Sequence, residues 1–483
     1  MIKLSEKIGY GFGDMASSMF WKVFSYYLPF FYSNVFGLSL VDAGMLVLIT
    51  RIWDAVSDPM MGIVADRTNT RWGKYRPYLL WVAVPFSVCG VLLFTTPDWA
   101  YAGKLLWAYV TYIMMMTVYT SINVPYGAML GVMTDNPHQK TVFSSYRMFF
   151  AYGGSFIALA AWEPLCSLFE HRFGLSIQSG WQSAMIVIAA ACLVLFILTF
   201  KLTRERIHTV SSVSIGRDFR SLLTNSPSWL LLGAAMCYNL FCTVRGATVA
   251  YFFADIIGFD AHIAVFGLSL LFYSGLFLSI GEVANMVGVA LTVPIAARLG
   301  KKTTFIMVNA LLIVLSIAFF YVPITPAGYW WMLLLQIGIS LLTGIMSPLV
   351  WSMYADVSDY AELRYKTAST GLIFSSSSMA QKFGGALGGA AVLWLLSACG
   401  YVARSAEQAS QVIGQSPEAL GCLWMLMTFI PAAVSLVAIV VVWFYPLTTD
   451  KVNKIVAELK LQRQGSEKRP AEYYEMTDSA NTL

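Results

Sequence analysis

The segment "RIWDAVSDPMMG" (51–62) places Asp54 and Asp58 one helical turn apart inside an apolar run. On a helix this spacing puts both carboxylates on one face, about 6 Å apart. Two carboxylates in lipid repel each other and are costly to bury unless a cation or a proton compensates them. We therefore predict a cation-binding site for Na+ or H+ here, to which Ser57 and Thr120 add hydroxyl oxygens. The competing interpretation is a purely structural ion-pair network.

Basic residues in the other apolar runs are candidates to face these carboxylates or a substrate. We expect Lys382, in "AQKFGG", to be the counter-charge of the aspartate pair, with Arg51 on the same helix face as the pair. Lys22 is expected either to pair with one of the aspartates or with Glu282, or to contact an anionic group of a substrate. The sequence assigns no role to Glu163 or Glu282.

The composition indicates a membrane protein. The chain has 483 residues, of which 58% are hydrophobic and 12% are charged, whereas a soluble protein has roughly 25% charged residues. Apolar runs long enough to cross a bilayer, about 20 residues, recur along the whole chain. We place them at 12–36, 42–64, 77–96, 104–132, 142–168, 182–202, 229–256, 264–297, 303–322, 328–353, 369–398 and 420–446. The pattern predicts an all-α polytopic membrane protein with twelve transmembrane helices.

The longest loop divides these spans into two sets of six. We predict an N-terminal half at 1–202, a cytoplasmic middle loop at 203–228, a C-terminal half at 229–447 and a cytoplasmic tail at 448–483. The connections after the second and the eighth spans, "ADRTNTRWGKYRP" and "AARLGKKTT", are both basic turns, which indicates an internal repeat. Together with Gly62, the first connection forms the pattern G-x-x-x-D-R, in which Asp66 and Arg67 are the last two residues. This pattern resembles the loop signature of the major facilitator superfamily.

Lys and Arg concentrate in loops on the side of the N-terminus, as in 67–76 and 451–469. By the positive-inside rule both termini are cytoplasmic. We expect a monomer that spans the plasma membrane many times, of the bacterial inner-membrane type. The net charge of +5 reflects this bias.

No basic stripe alternates with aromatic residues, so nucleic acid is not an expected partner. The seven cysteines form no CxxC pair. No GxSxG, HExxH or DxD motif lies in or beside a span, so we do not expect an enzyme.

Several motifs, in chain order, resemble the glycoside–pentoside–hexuronide:cation symporter family, the melibiose-permease-like branch of the major facilitators. They are "EKIGYGFGDMASS", "RIWDAVSDPMMG", "TRWGKYRPY", "YTSINVPYGAM", "SYRMFFAYGG", "VRGATVAYFFADIIG" and "YADVSDYAELRYKTASTG…QKFGG". The resemblance covers about residues 5–450. It implies cation-coupled sugar symport by alternating access between two six-helix halves in a lipid bilayer. Na+ or H+ would be the coupling ion, with no other cofactor.

The resemblance also implies roles for individual residues. Asp54 and Asp58 match the cation-binding carboxylates of the family. Ser57, which replaces an asparagine of the melibiose permeases, and Thr120 match positions that help to coordinate sodium. Lys382 matches a lysine linked to the cation site.

The chain departs from the melibiose type in the sugar pocket. Ser18 and Asn123 stand where that type has aspartates, and Gly127 stands where it has a tryptophan, which makes a galactoside a poor candidate. With Lys22 on the same face as Ser18, the pocket becomes more positive, which favours an anionic sugar such as a hexuronide or glucuronide. A neutral glycoside or pentoside, or passive facilitation by the same fold, is the alternative. The predicted substrate-binding residues are Ser18, Lys22, Asn123, Tyr119, Arg147 and Arg245.

The segment "YADVSDYAELRY" carries acidic residues opposite the basic loop 67–76 on the predicted cytoplasmic side. Opposite charges on the two halves could hold the inner side closed when the outer side is open. The predicted cytoplasmic gate consists of Asp356, Asp359, Glu362 and Arg364.

Overall fold

The computed structural model describes residues 3–134, 137–206, 226–258, 261–265, 268–365, 370–403 and 414–467. These residues are almost entirely helical, because a backbone that crosses lipid must satisfy its hydrogen bonds within its own segment. The helices of the N-terminal half are α1 (Leu4–Phe30), α2 (Leu40–Arg67), α3 (Tyr78–Trp81), α4 (Ala83–Leu93), α5 (Tyr101–Met133), α6 (Pro137–Phe173) and α7 (Ile177–Leu202). Those that follow are α8 (Ser226–Phe252), α9 (Ser274–Leu299), α10 (Lys301–Phe320), α11 (Pro326–Tyr365), α12 (Thr370–Ala398), α13 (Pro417–Met427), α14 (Phe429–Trp443) and α15 (Thr449–Glu467).

Each of the twelve predicted spans overlaps helix in the described residues, although two spans are interrupted and the eighth begins too early. The third span is divided into α3 and α4 at Val82, and the twelfth into α13 and α14 at Thr428. Seven of the described helical segments, with α13 and α14 counted together as one, are long and apolar enough to cross a membrane by length and composition alone. Helices such as α1 and α2 interrupt their apolar runs with the ionisable residues singled out above.

The predicted start of the eighth span at 264 is wrong. A short antiparallel hairpin, β1 (His262–Val265) with β2 (Leu268–Leu271), precedes α9, which begins only at Ser274. The run "HIAVFGLSLLFY" is as apolar as a helix, but hydropathy alone does not separate short strands from helix.

The first helix of each half ends in the same way, which supports the internal repeat. After α1 the chain forms one π-helical turn, Phe31–Val35, and after α8 it forms another, Phe253–Ile257. A left-handed glycine follows each turn, Gly37 at φ 88° and Gly258 at φ 86°. A residue with a β-carbon is strained in that conformation.

An even number of passes places both described termini at one end of the bundle. We call this the terminal end, where α1 begins and α14 ends, and the opposite one the far end. Between the halves, α1 packs on α8, α2 on α12 and α6 on α9. One buried apolar cluster fills the N-terminal half and continues into the C-terminal half at the far end, through residues such as Tyr251 and Leu393. A second cluster, around Phe305 and Tyr354, fills only the C-terminal half at the terminal end. The two halves therefore share a core at the far end.

Candidate functional site

A buried ion cluster joins the two halves at mid-height. The helical spacing of α2 turns Asp54 and Asp58 toward α12, which supplies Lys382. Lys382 Nζ lies 3.1 Å from Asp54 Oδ1 and also forms a hydrogen-bonded ion pair with Asp58 Oδ2. Asp54 is fully buried, and the side chain of Asp58 is 25% exposed. With both carboxylates ionised, one ammonium between them would leave the cluster with a net charge of −1.

Hydroxyl groups complete the cluster. Thr120 Oγ1, on α5, lies 3.1 Å from Asp54 Oδ1 and 3.0 Å from Asp58 Oδ1. Its hydroxyl can therefore donate a hydrogen bond to either carboxylate. Ser57 Oγ lies 3.3 Å from Thr120 Oγ1 and donates a 3.0 Å hydrogen bond to the Asp54 carbonyl oxygen. Within the described part of the chain, the second oxygen of Asp54, Oδ2, is buried and has no hydrogen-bond partner. The structure thus brings together the four predicted cation ligands and the predicted lysine.

Arg51 lies beside this cluster but has a different environment from the one expected. Its guanidinium carbon lies 4.4 Å from the ring centre of Trp21 and 4.9 Å from that of Phe24, both on α1. Among the described residues Arg51 makes no ion pair within 4.0 Å, because the carboxylates face α12 and α5 while Arg51 faces α1. Trp21 also packs against Tyr119, with ring centres 4.9 Å apart and ring planes tilted by 31°. Arg51 therefore packs against the aromatic rings of Trp21 and Phe24 beside the cluster.

A cavity of about 340 Å³ lies between the halves, within the range of small-molecule pockets. It is bounded by α1 and α6 on one side and by α8, α9 and α11 on the other. Three of the predicted substrate-binding residues line it, namely Ser18, Lys22 and Arg245. Tyr119, Asn123 and Arg147 lie outside its lining, so their assignment to the substrate stays a prediction. Further polar lining residues include Ser25, Tyr26, Tyr152, Ser155, Asn239, Glu282, Asn285, Gln336, Ser340 and Thr343.

Lys22 and Glu282 form an ion pair across the cavity. Lys22 Nζ lies 2.6 Å from Glu282 Oε1 and 3.2 Å from the Tyr26 hydroxyl oxygen. Of the partners considered for Lys22, the structure selects Glu282, because Lys22 on α1 faces α9 while both aspartates of α2 face α12. The positive charge of Lys22 is thereby neutralised within the protein.

Arg245 on α8 is buried at the cavity wall. It donates hydrogen bonds to the Met427 carbonyl oxygen, at 2.6 Å, and to Gln336 Oε1, at 3.0 Å. Its guanidinium also lies over the ring of Phe319, 4.9 Å from the ring centre. Among the described residues no acidic group lies within 4.0 Å of it, and its Nε has no hydrogen-bond partner. Arg245 is a buried cation held by neutral groups.

Arg147 on α6 pairs with an acid that the sequence analysis did not single out. Arg147 Nε lies 2.8 Å from Asp14 Oδ2, and the guanidinium lies over the ring of Tyr126. Asp14 stands one turn before Ser18 on α1, within the quoted motif "EKIGYGFGDMASS". The charge of Arg147 is therefore neutralised inside the N-terminal half, on the terminal side of the cavity.

The polar wall contributed by α9 and α11 was also missed by sequence reasoning. On α11 the lining residues Gln336, Ser340 and Thr343 follow one another at intervals of four and three, which is one face of a helix. Thr343 donates to Asn285 Oδ1 at 2.9 Å, and Gln336 donates to Ser340 Oγ at 3.2 Å. Polar residues at this spacing inside an apolar span are the signal that could have revealed the wall.

Comparison with known proteins decides the family. The family model described as "MFS/sugar transport protein" matches residues 9–449. The chain belongs to this family. The inner membrane symporter YicJ of Escherichia coli K12 is 33% identical over 462 residues, which cover 95% of each chain. The isoprimeverose transporter of Lactiplantibacillus pentosus is 33% identical, covering 95% of this chain and 92% of its own. The glucuronide carrier protein homolog of E. coli K12 is 30% identical, covering 95% and 96%.

Solved structures support the fold. The crystal structure of the nucleoside transporter NupG aligns with 91% of this chain and 100% of its own at a TM-score of 0.63 and 14% identity. At that identity the likeness concerns the fold alone. The protein is thus a multi-pass membrane transporter with the major facilitator fold.

The transporter is closed at its far end by contacts between the halves. Glu163 Oε1, on α6, accepts hydrogen bonds from the Tyr27 hydroxyl at 2.8 Å and from the Gly275 N–H at 3.0 Å, and a third from the Ser274 hydroxyl. Ser274 and Gly275 begin α9, so the carboxylate lies at the positive end of a helix from the other half. Nearby, the hydroxyls of Ser33 and Tyr251 lie 2.7 Å apart. These bonds join the halves beside their shared apolar core.

Toward the terminal end the halves leave space. A second cavity, of about 320 Å³, lies between α6 and α9 and shares Met148 and Tyr152 with the central one. Its other lining residues include Ser144 and Val289, which stand nearer the terminal end of their helices. Space between the halves therefore extends from the central cavity toward the terminal end, whereas hydrogen bonds and apolar packing join the halves at the far end.

Two of the predicted gate residues, Asp356 and Arg364, have contacts within the C-terminal half. Lys301 Nζ donates to both oxygens of Asp356 at 2.7 Å, which joins α10 to α11. Arg364 lies over the ring of Tyr360 and hydrogen-bonds to its hydroxyl. Asp359 and Glu362 lie on the same stretch of α11, and both have interaction partners. A gate that joins these residues to the other half, in the state that is closed at the terminal end, stays a prediction.

The basic loop after α2 is likewise held within its half. Glu205 accepts hydrogen bonds from the backbone N–H groups of Lys74, Tyr75 and Arg76 at 2.6–2.8 Å. The next residue, Arg206, donates from both terminal nitrogens to the carboxylate of Glu6 at 2.7 Å. This hydrogen bonding raises the pKa of Arg206. These hydrogen bonds join the loop after α2 and the start of α1 to the segment that follows α7.

Proposed function

We propose that the transporter carries a sugar or glycoside into the cell together with Na+ or H+, by alternating access. The observation that carries the proposal is the position of Lys382 between Asp54 and Asp58. A cation of one half occupies the carboxylate pair of the other half. Any ion that binds these carboxylates must change the contact between the halves, and this contact is what a coupled carrier has to control.

The charge of the cluster explains how an ion would act. With Lys382 in place the cluster has one negative charge to spare, and Asp54 Oδ2 is an acceptor without a partner among the described residues. A proton on an aspartate, or a sodium ion held by the carboxylates and the hydroxyls of Thr120 and Ser57, neutralises that charge. It also loosens the ion pair with Lys382. Release of α12 from α2 then reshapes the neighbouring cavity, and the effect on sugar and ion affinity is reciprocal.

The central cavity is the proposed sugar site, because it is polar, lies between the halves and has the size of a small-molecule pocket. The preference for an anionic sugar relied on Lys22 as an uncompensated cation, and Glu282 now neutralises that charge. What favours an acidic sugar in the structure is Arg245, a buried cation without an acidic partner among the described residues. We therefore keep hexuronides and glucuronides as the second candidate class.

In the proposed orientation both termini are cytoplasmic, in the inner membrane of a bacterium, and the far end faces outward. With that orientation we propose that the structure is the inward-facing state: Glu163 and its partners join the halves on the outer side, and the space near Tyr152 faces the cytoplasm. Cavity and ion cluster are both built from one chain, which supports a functional monomer. In the outward-open state the acidic cluster at 356–364 would approach the basic loop at 67–76 as the inner gate.

Purified full-length protein in proteoliposomes tests the proposal. Neutral glycosides and glucuronides are offered under an imposed Na+ gradient, an imposed pH gradient, or neither. Symport predicts that one gradient drives accumulation above equilibrium, and that an ionophore specific for that ion abolishes it. A passive facilitator of the same fold would equilibrate its sugar at the same level under all three conditions, and that result would refute coupling.

A further inference from the structure

We infer that Glu282 determines which sugars the cavity accepts, and that it selects neutral, hydroxyl-rich rings over acidic ones. The inference rests on the proposed sugar transport and specifies its substrate class. Glu282 stands on α9 at the cavity wall and is only 3% exposed. Its Oε1 is bound by Lys22 at 2.6 Å, whereas its Oε2 is buried and has no hydrogen-bond partner among the described residues.

An unpartnered carboxylate oxygen at a cavity specifies the chemistry of its ligand. A carboxylate can only accept hydrogen bonds, so the missing partner must be a donor. Leaving such an oxygen buried without a donor is unfavourable, and a hydroxyl of a sugar ring supplies one. Ring hydroxyls of a hexuronide can also donate, but its ionised carboxylate cannot. It would also add a second negative charge beside Glu282.

The charge balance of the pair leads to the same conclusion. Lys22 and Glu282 together are neutral, and a neutral sugar can bind while the pair stays intact. An acidic sugar gains a cation only by competing with Glu282 for Lys22, which leaves the buried Glu282 without compensation. The other cation, Arg245, already donates from both terminal nitrogens, to the Met427 carbonyl oxygen and to Gln336, and its Nε alone lacks a partner among the described residues.

The rest of this wall offers neutral partners. Asn285 lies one turn after Glu282 on α9, and Thr343 donates to it from α11. Gly281 allows α11 to approach, because a β-carbon there would lie 2.7 Å from Ser340 Oγ and 3.1 Å from Gln336 Nε2. Amide and hydroxyl groups of this kind can both donate and accept, as sugar hydroxyls do.

Counterflow in proteoliposomes tests the inference without requiring an ion gradient. Pairs of neutral and acidic sugars that differ only in the carboxylate are compared, such as methyl β-glucoside with methyl β-glucuronide, together with isoprimeverose. The variants are Glu282→Gln and the double variant Lys22→Met/Glu282→Gln. Glu458→Gln, an exposed glutamate on the tail helix α15, is the matched control.

Wild type and Glu458→Gln are expected to prefer the neutral member of a pair. In Glu282→Gln the affinity for neutral sugars falls about tenfold, since a charged acceptor is replaced by a weaker one. The preference shifts toward the glucuronide, because Lys22 is now free. The double variant shows the loss for neutral sugars but no gain for the glucuronide. The double variant leaves neither charge of the pair in the cavity. It therefore still tests the inference if the single variant fails to fold.

The inference is overturned if wild type carries glucuronides as well as their neutral partners, or if Glu282→Gln keeps the wild-type preference. Both results would leave sugar transport intact. If wild type carries neither class of sugar, the proposed transport itself fails, and the role of Glu282 fails with it.

Discussion

Replacement of Lys382 by methionine is expected to make the carboxylate pair bind its coupling ion more tightly. Methionine keeps most of the side-chain volume but removes the ammonium that lies 3.1 Å from Asp54 Oδ1. At an effective dielectric constant of about 20, two unit charges at that distance attract by about 5 kcal/mol. Desolvation offsets part of this, and loss of one partner from a buried pair typically costs about 3–5 kcal/mol.

Without Lys382 the cluster has a charge of −2, and an external cation must take over its place. If about 3 kcal/mol of the lost attraction becomes available to that cation, its affinity rises on the order of 100-fold. The variant should then hold its ion through the transport cycle, and sugar accumulation should fall.

The melting temperature of the purified protein measures this affinity without a sugar. It is recorded against NaCl at constant ionic strength, and separately against pH, because an ion that binds only the folded state stabilises it by mass action. For Lys382→Met the rise should begin at about 100-fold lower concentration of the coupling ion. Lys301→Met, which breaks the Asp356 pair at the terminal end, is the control and should leave the ion response unchanged. An unchanged or weaker response of Lys382→Met to both ions would refute competition between lysine and ion.

Three further predictions concern other parts of the structure. Thr120→Val removes the hydroxyl shared by the two carboxylates and should weaken ion-dependent stabilisation about tenfold, from a loss of about 1–3 kcal/mol; an unchanged midpoint in the ion titration would exclude Thr120 from the site. Glu163→Ala leaves the Gly275 N–H without its acceptor. It should raise the labelling rate of a cysteine placed at Ser33, in a cysteine-free background, by about 5–100-fold; equal labelling rates would show that Glu163 does not hold the far end closed. Gly344→Val places a β-carbon 2.8 Å from Asn285 Cα, and the overpacking should lower stability by about 1–3 kcal/mol, with an unchanged melting temperature as the contrary result.

The cation cluster was predictable from the sequence because its members are charges deep in apolar spans. The four-residue spacing of Asp54 and Asp58 fixes their common face, and few cations at that depth other than Lys382 can reach it. The partner of Lys22 was not decided by the sequence, since helix spacing says nothing of which helices face each other across the halves. The approach of α1 to the C-terminal half brings Glu282 of α9 within reach of Lys22.

The parts that the sequence did not reveal depend on tertiary contacts. Arg51 shares a face of α2 with the aspartates, yet the rings of Trp21 and Phe24 draw it toward α1. The role of Glu163 depends on its contact with the first turn of α9 from the other half, which the sequence does not reveal. The sequence predicts helix where the hairpin before α9 lies, because two short apolar strands have no hydrophobic periodicity that distinguishes them from a buried helix.

The central claim is that Asp58, with its partners, couples ion entry to sugar entry. The most direct measurement compares wild type with Asp58→Asn in proteoliposomes, following a carried glycoside under an imposed gradient of the effective ion and in counterflow. We expect wild type to accumulate the sugar only with the gradient. The variant should still exchange sugar in counterflow but equilibrate it regardless of the gradient. Accumulation by Asp58→Asn at the wild-type level would contradict the account, because the carboxylate pair would then be structural.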